Sequence, residues 1–289
     1  MLAPIDWTRP WYDAVRPTFE RMAADGLAGA SACLAGRSNE LCADGARGLI
    51  DAFNRVAAAN ALRTRAGLAL RFVPQAALPE GQAYEDFIAT TGQVPTRANL
   101  HDFFNALVWL AYPRIKQELN ALQAAQIARD GVGKSRGAAR DGATIFDENA
   151  ALLVLRDAPD CHALLAALRA HDWTDALLTR RAAFGPRAQL WLFGHALMEK
   201  LVAPRKAITA HTRALFAPDD FFDWPHDARR AWIDAELAGQ LAREGLSTAC
   251  FTPLPVLGVP HWWPGQDQAF YRDATVFRPR RPSITGANA

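Results

Sequence analysis

The sequence has few of the features that mark several large protein classes. It contains four cysteines in 289 residues, and no two of them form a CxxC pair. The redox and zinc motifs built on that pair are therefore excluded, and scattered thiols in a chain of this length favour a reducing cytosol. A disulfide between Cys33 and Cys42 stays open as an alternative.

An excess of charge of either sign is lacking as well. The chain has 32 basic and 30 acidic residues, a formal net charge of +2, so its total charge gives no reason to expect a nucleic acid or a membrane as partner. No apolar run approaches the roughly 20 residues of a transmembrane helix. The first residues lack the basic and apolar regions of a secretory signal. We expect a soluble, cytoplasmic protein.

The common catalytic motifs are missing too. HExxH, GxSxG and GxGxxG do not occur, which excludes the zinc-protease, esterase and dinucleotide-binding signatures. Residues 133–135, Gly-Lys-Ser, resemble the end of a phosphate-binding loop, but Ala128 stands where that loop needs a glycine, and a helix precedes it. We interpret residues 131–142 as a flexible basic loop.

Hydrophobic residues are plentiful, since they make up 50% of the chain, enough for a sizeable core. Their spacing is mostly helical, with a few short β-prone runs. We predict an α+β, helix-dominated fold in which a small β-sheet or hairpin packs against several helices. Prolines and tryptophans near both ends predict extended arms that wrap a single globular domain, residues 1–282, followed by a disordered tail at 283–289.

The segment from Thr96 to Lys116 carries the strongest helix signal. Asn99 is a suitable N-cap, and Asp102, three residues later, is a suitable partner in a capping box. The residues that follow are almost all apolar, which predicts a helix buried on most sides. Pro113 removes a backbone donor, so we expect a second helix to start there.

The remaining elements are predicted from periodicity and turn residues. The predicted helices are Asp44–Ala61, Tyr84–Thr90, Asp160–Arg169, Trp173–Arg181, His195–Val202, Ala207–Phe216 and Ala228–Arg243. The predicted strands are Leu68–Val73, Ala188–Phe193, and a hairpin of Ala143–Phe146 and Ala151–Leu155 that turns at residues 147–149.

Polar residues able to do chemistry lie beside apolar segments in four separate parts of the chain. The candidate catalytic residues are His101, Asp102, Asn105, Arg140, Asp141, Asp147, Glu148, His195, Glu199 and Lys200. His195 and Glu199 stand four residues apart and face the same way from one predicted helix, the spacing with which a helix supplies two metal ligands. The candidate metal ligands are His195, Glu199, His211 and Asp147.

These residue types support two chemistries. Carboxylates and imidazoles together suffice for a divalent metal, whose identity the sequence leaves open. Without a metal, a carboxylate can orient a histidine that activates water, while Arg140 or Lys200 stabilises negative charge. His195 follows a glycine at the start of a predicted helix, where the dipole lowers its pKa and favours the neutral imidazole. We predict a small-molecule hydrolase, with or without a metal.

Each of these residues also has a structural explanation. Helix capping accounts for Asp102, turn chemistry for residues 147–149, and a hydrogen-bonded place in the core for His101. The alternative is a non-catalytic interaction or scaffold protein, whose polar cluster is a structural network and whose Trp-rich arms are contact surfaces. Sealed polar residues would favour that alternative, whereas an open cleft would favour the enzyme. Nucleic-acid binding through the basic loop and the C-terminal arginines is a weaker third option.

Four segments carry a resemblance to a known family. They are YEDFIATTGQVPTRANLHDFFNALVWLAYPRIKQELN, RDGATIFDENAALLV, FGHALMEKLVAP and the C-terminal PLPVLGVPHWW with FYRDATVFRPRR. Together they resemble a proteobacterial family catalogued only as a domain of unknown function, from about Ile5 to Arg281. The resemblance implies a cytoplasmic bacterial protein, and it assigns no activity, substrate, cofactor or site residue.

Overall fold

The computed structural model describes residues 5–24, 43–131 and 138–280. Helices predominate in these ranges and two small sheets accompany them, so the predicted helix-dominated α+β class is confirmed. None of the helices described is long and apolar enough to cross a bilayer. Cys33, Cys42 and the tail at 283–289 lie outside the described residues, whereas Cys161 and Cys250 are free thiols.

The α-helices are numbered in chain order. They are α1 (Arg16–Ala24), α2 (Ala43–Ala59), α3 (Tyr84–Thr91), α4 (Leu100–Ala111), α5 (Pro113–Asp130), α6 (Ala138–Asn149), α7 (Pro159–Ala170), α8 (His195–Lys200), α9 (His226–Glu244) and α10 (Gln268–Tyr271). Short 3-10 helices cover Pro10–Tyr12, Gln75–Ala77, Arg181–Ala183, Phe221–Asp223, Thr248–Cys250 and Val256–Gly258, and a π-helix covers Asp175–Thr179.

The strands form a two-stranded and a four-stranded sheet. They are β1 (Arg71–Pro74), β2 (Gln93–Thr96), β3 (Ala150–Arg156), β4 (Ala188–Leu192), β5 (Thr209–Ala217) and β6 (Thr252–Pro255). The strands β1 and β2 pair in parallel. In the larger sheet the order is β4-β3-β5-β6, with β3 parallel to β5 and the two outer pairs antiparallel.

The helix α4 lies at the centre of the larger core. The side chain of Asn99 accepts a hydrogen bond from the backbone amide of Asp102 at 2.8 Å, which confirms the predicted N-cap. Every residue from Asp102 to Ala111 is buried. Its continuation α5 starts at Pro113, as predicted. An apolar helix buried on this scale gains most of its stability from packing and not from helix propensity.

The strand β3 divides the interior into two hydrophobic cores. Successive side chains of a strand point to opposite faces, and those of Leu152 and Val154 belong to the core around α4. Leu153 and Leu155 belong to a second core that includes α7 and the C-terminal aromatics. Phe146 and Ala150, on either side of residues 147–149, also belong to the core around α4, which brings the end of α6 to that core.

The N-terminal arm inserts aromatic side chains into the larger core. Trp11 and Tyr12 are buried, and Tyr12 stacks on Phe104 with ring centroids 5.7 Å apart. The arm packs on the body of the protein, but its backbone forms a 3-10 helix and α1 and not the extended segment predicted from the sequence.

Two predicted elements are wrong. The segment Ala143–Phe146 is part of α6 and not a hairpin strand, because Ala143, Phe146 and Asp147 are buried at helical spacing and the short apolar run was ambiguous. The segment Ala207–Phe216 is mostly strand β5, because pairing on both sides with β3 and β6 overrides its weak helix propensity. The predicted helix Trp173–Arg181 is helical from Trp173 to Thr179, and its last five residues form the π-helix.

Candidate functional site

Three residues from distant parts of the chain meet beside α4. They are His101 in the first turn of α4, Glu148 in the last turn of α6 and His195 at the start of α8. The two imidazoles face each other with their Nε2 atoms 3.1 Å apart. The carboxylate of Glu148 lies 4.0 Å from Nε2 of His101 and 3.6 Å from Nε2 of His195. Each of the three offers one ligand atom within 4.8 Å of the other two.

A glycine allows this meeting. Gly194 caps α8, and its amide donates to the carbonyl of Ala150 at 2.8 Å. A Cβ at Gly194 would lie 2.5 Å from the backbone nitrogen of Ala150 and 2.6 Å from Cα of Asn149. Only glycine permits so close an approach of two backbones. The crossing places His195 directly beside the last turn of α6, which carries Glu148.

Carboxylates approach the two imidazoles from their far sides. Oε2 of Glu199 lies 3.1 Å from Nδ1 of His101. Oδ2 of Asp147 lies 3.9 Å from the buried Nδ1 of His195, beyond the distance of a direct hydrogen bond. A carboxylate beside Nδ1 favours the proton on that nitrogen, so each ring is biased towards a tautomer whose Nε2 carries a lone pair.

This bias leaves the two Nε2 atoms in conflict. In the neutral form of His101, Nδ1 donates to Glu199 and Nε2 can only accept, so His195 satisfies it only by placing its own proton on Nε2. The lone pair on Nδ1 of His195 then points at the carboxylate of Asp147, which is unfavourable. Either a second proton on His101 or a metal ion between the two Nε2 atoms resolves the conflict, because both rings then keep the Nδ1 proton that the carboxylates favour.

A buried lysine orients Asp147. The ammonium of Lys116 donates to Oδ1 of Asp147 at 2.6 Å and to Oδ1 of Asn105 at 2.9 Å. The amide of Asn105 in turn contacts the hydroxyl of Tyr84 at 3.2 Å. With Oδ1 occupied by Lys116, the oxygen left to face His195 is Oδ2. Lys116 was not among the residues predicted from the sequence.

Burial sets the charge states of the site. It lowers the pKa of His195 to about 4, against the opposing charge of Asp147, so this imidazole is neutral at pH 7. Burial acts to raise the pKa of Asp147, but the Lys116 ammonium and the two imidazoles together outweigh it, and the pKa lies below the ordinary value. Burial raises the pKa of Glu148. The predicted lowering for His195 is present, but burial and not the helix dipole is its main cause.

The site is closed on one side and open on the other. The side chain of His195 is 4% exposed, whereas that of His101 is 32% exposed and those of Glu148 and Glu199 are 40% exposed. The cluster therefore faces solvent on the side of His101 and Glu148. Polar clusters that serve only the fold are more often sealed and fully hydrogen-bonded.

The other candidate residues surround the cluster or lie apart from it. Asp102 is 6% exposed, and both of its carboxylate oxygens accept hydrogen bonds from Arg97. Asp141 is exposed, seven residues before Glu148 and therefore about 10 Å away along α6. Lys200 is exposed at the end of α8, and its charge acts on Glu148. The side chain of Arg140 lies outside the part described.

His211 does not join the two other imidazoles. It lies on strand β5, not on the helix expected from the sequence, and its Nδ1 is 3.1 Å from the amide nitrogen of Asn149. Its ring packs against Phe251. The four candidate ligands His195, Glu199, His211 and Asp147 thus do not surround one point. Among the residues described, the fold brings together His101, Glu148 and His195.

Comparisons with known proteins identify a family without an assigned activity. The family described as "Protein of unknown function (DUF3025)" matches residues 70–281, which include the whole cluster. No curated protein and no solved structure matches the chain significantly. Any functional assignment therefore depends on the chemistry of the site.

Proposed function

Because the chain belongs to this family of unknown function, we propose its function from the site: a metal-dependent hydrolase of small molecules. The metal ligands are Nε2 of His101, Nε2 of His195 and the carboxylate of Glu148. The observation that carries the proposal is the pair of facing Nε2 atoms, each backed by a carboxylate on the Nδ1 side of its ring.

The distances support coordination of one ion. A metal about 2.1 Å from both Nε2 atoms, which are 3.1 Å apart, would subtend an N–metal–N angle of about 95°. The Glu148 oxygens, at 3.6 and 4.0 Å from the imidazole nitrogens, exceed the roughly 3.4 Å between ligand atoms of a tetrahedral site. A small rotation of the partly exposed Glu148 side chain closes that gap.

The ligand set is of the catalytic type. Two histidines and one glutamate leave a fourth position of a tetrahedral zinc site free for water, and a zinc-bound water ionises near pH 7. The open side of the cluster, towards His101 and Glu148, gives a substrate access to that position. Glu199 and Asp147 fix the orientation of the imidazoles, a role that commonly affects metal affinity by ten-fold to a hundred-fold.

The main competing function is a scaffold whose polar cluster only stabilises the fold. One observation favours the enzyme. The side chains of His101 and Glu148 are 32% and 40% exposed, whereas a polar network that serves stability alone is more often sealed.

Metal titration tests the proposal. Chelator-treated protein should bind one equivalent of Zn²⁺ or Mn²⁺ by isothermal titration calorimetry, while Mg²⁺, which prefers oxygen ligands, should bind weakly. We expect Glu148→Gln and His195→Ala to lower the affinity at least ten-fold. His162→Ala, at an exposed histidine on α7, is the matched control and should bind like the wild type.

Hydrolysis is tested separately. The metal-loaded protein should turn over at least one member of a panel of small esters, amides and phosphate esters, and Glu148→Gln should abolish that turnover. Metal binding without turnover of any substrate class would leave a structural metal site and refute the hydrolase. Equal metal affinity in His195→Ala and His162→Ala would refute the site itself.

A further inference from the structure

A cavity lies apart from the His101 cluster and shares no residue with it. It has a volume of about 320 Å³ and lies between the 3-10 helix Pro10–Tyr12, strand β4, the start of α9 and the loop at 259–262. Three tryptophans line it, namely Trp11, Trp191 and Trp262. A cavity of this size, at the lower end for ligand sites, has room for one or two aromatic rings.

One arginine in this cavity has no acidic partner. Arg229 is half-buried, and among the described residues no carboxylate lies within ion-pair distance of its guanidinium. Its one hydrogen bond runs from Nη1 to Oε1 of Gln189 at 3.1 Å. The next residue on α9, Arg230, pairs with Asp227. An arginine left unpaired beside aromatic rings is a typical recognition element for a carboxylate.

The walls of the cavity are held in place by specific contacts. Oε1 of Gln189 also accepts from Nε1 of Trp191 at 3.2 Å, so one amide fixes both the arginine and the indole. The guanidinium of Arg229 lies over the Trp191 ring, 5.9 Å from its centroid. The ring of His226 packs on Trp191 with centroids 4.7 Å apart. These side chains form a preorganised surface with one free cationic group.

The loop on the opposite side is unusual in its backbone. His261 lines the cavity with a φ of 72°, in the left-handed region that non-glycine residues rarely adopt. Buried Gln266 holds this conformation, because its Oε1 accepts from the amide of His261 and its Nε2 donates to the carbonyls of Leu257 and Val259. Strained backbone that is held by a dedicated side chain is enriched at ligand-binding sites.

From these observations we propose that the cavity binds a small planar aromatic molecule that carries one carboxylate. The tryptophans stack on the ring, and the guanidinium of Arg229 binds the carboxylate. The acid at this wall, Asp13, does not oppose the anion, because its carboxylate accepts a hydrogen bond from Arg16. The site is independent of the metal ligands, and its function does not depend on the hydrolase.

Calorimetry with four probes tests both halves of the ligand. The probes are benzoate, indole-3-carboxylate, its neutral isostere indole-3-carboxamide, and the non-aromatic cyclohexanecarboxylate. The titrations contain a chelator, so that no carboxylate can bind through a metal ion. We expect saturable binding of the aromatic acids at one site per chain. The carboxamide and the cyclohexane acid should each bind at least ten-fold more weakly.

Two variants locate the site. Arg229→Gln should weaken indole-3-carboxylate binding at least ten-fold, because it removes the only free cation described in the cavity. Arg243→Gln is the matched control, since it makes the same change in the last turn of the same helix, about 21 Å away. Melting curves establish that both variants fold. Absence of saturable binding, equal affinity for the acid and the carboxamide, or equal affinity in the two variants would overturn the proposal.

Discussion

Lys116→Met isolates the electrostatic support of the candidate site. The ammonium of Lys116 and the carboxylate of Asp147 are 4% and 12% exposed and 2.6 Å apart. Methionine keeps the length and the apolar stem of the side chain but leaves Asp147 without its cation. Removing one member of a buried ion pair costs about 3–5 kcal/mol, because the remaining charge is uncompensated. We expect the free energy of unfolding to fall by about that amount.

A double-mutant cycle separates the charge from the packing. The double variant Lys116→Met/Asp147→Leu no longer carries the unpaired carboxylate. Replacing both members of a buried ion pair by apolar residues often leaves the free energy of unfolding unchanged or raises it by about 1–4 kcal/mol. The double variant should therefore be more stable than Lys116→Met alone, yet bind metal more weakly, because His195 loses its carboxylate.

Urea unfolding at pH 7.5, followed by circular dichroism in the presence of a chelator, measures these differences. Lys200→Met is the control, since this lysine is exposed and surface changes usually stay within about 0.5 kcal/mol. A loss of less than about 1 kcal/mol in Lys116→Met, or a double variant that is less stable than Lys116→Met, would show that the ion pair does not stabilise the site.

Three further predictions concern stability. The pKa of His195 is about 4 in the fold and 6.5 in the unfolded chain. The contribution of its neutral ring to the free energy of unfolding is therefore fully present above pH 6.5 and is lost as the pH falls towards 4. The expected loss is about 3 kcal/mol. Urea unfolding at pH 7 and at pH 4.5 should show this loss in the wild type and not in His195→Gln. Asp234→Ala should cost about 2–4 kcal/mol, measured by the same assay at pH 7, because its carboxylate accepts two backbone amides at the start of α5. Gly194→Ala should destabilise by about 3 kcal/mol or prevent folding, since its Cβ would collide with backbone; Gly48→Ala, in open space on α2, should be neutral or stabilising in the same melting experiment.

The central helix could be predicted from the sequence because its signals are local. Asn99 caps it, apolar residues follow at helical spacing, and Pro113 starts the next helix, all within one continuous stretch. The wrong elements had weaker local signals. The short run at 143–146 fits a strand or a helix equally well, and only its packing against the core decides between them.

The sequence suggests the residues of the site but does not show that they meet. His101, Glu148 and His195 were candidates because of their chemistry, whereas their contact depends on the pairing of β3 with β4 and on the backbone crossing at Gly194. Which carboxylate faces which nitrogen follows from the same tertiary contacts.

Lys116 gave no usable signal in the sequence. A lysine on a helix is normally solvated, and its burial becomes apparent only when Asn105 and Asp147 are placed around it.

The most direct test is anomalous diffraction from crystals grown with Zn²⁺, recorded on both sides of the zinc absorption edge. The proposed site predicts one strong peak, about 2.1 Å from Nε2 of His101 and from Nε2 of His195, with a Glu148 oxygen as the third ligand. A cluster that stays free of metal while its two imidazoles remain hydrogen-bonded to each other, in protein saturated with zinc, would contradict it.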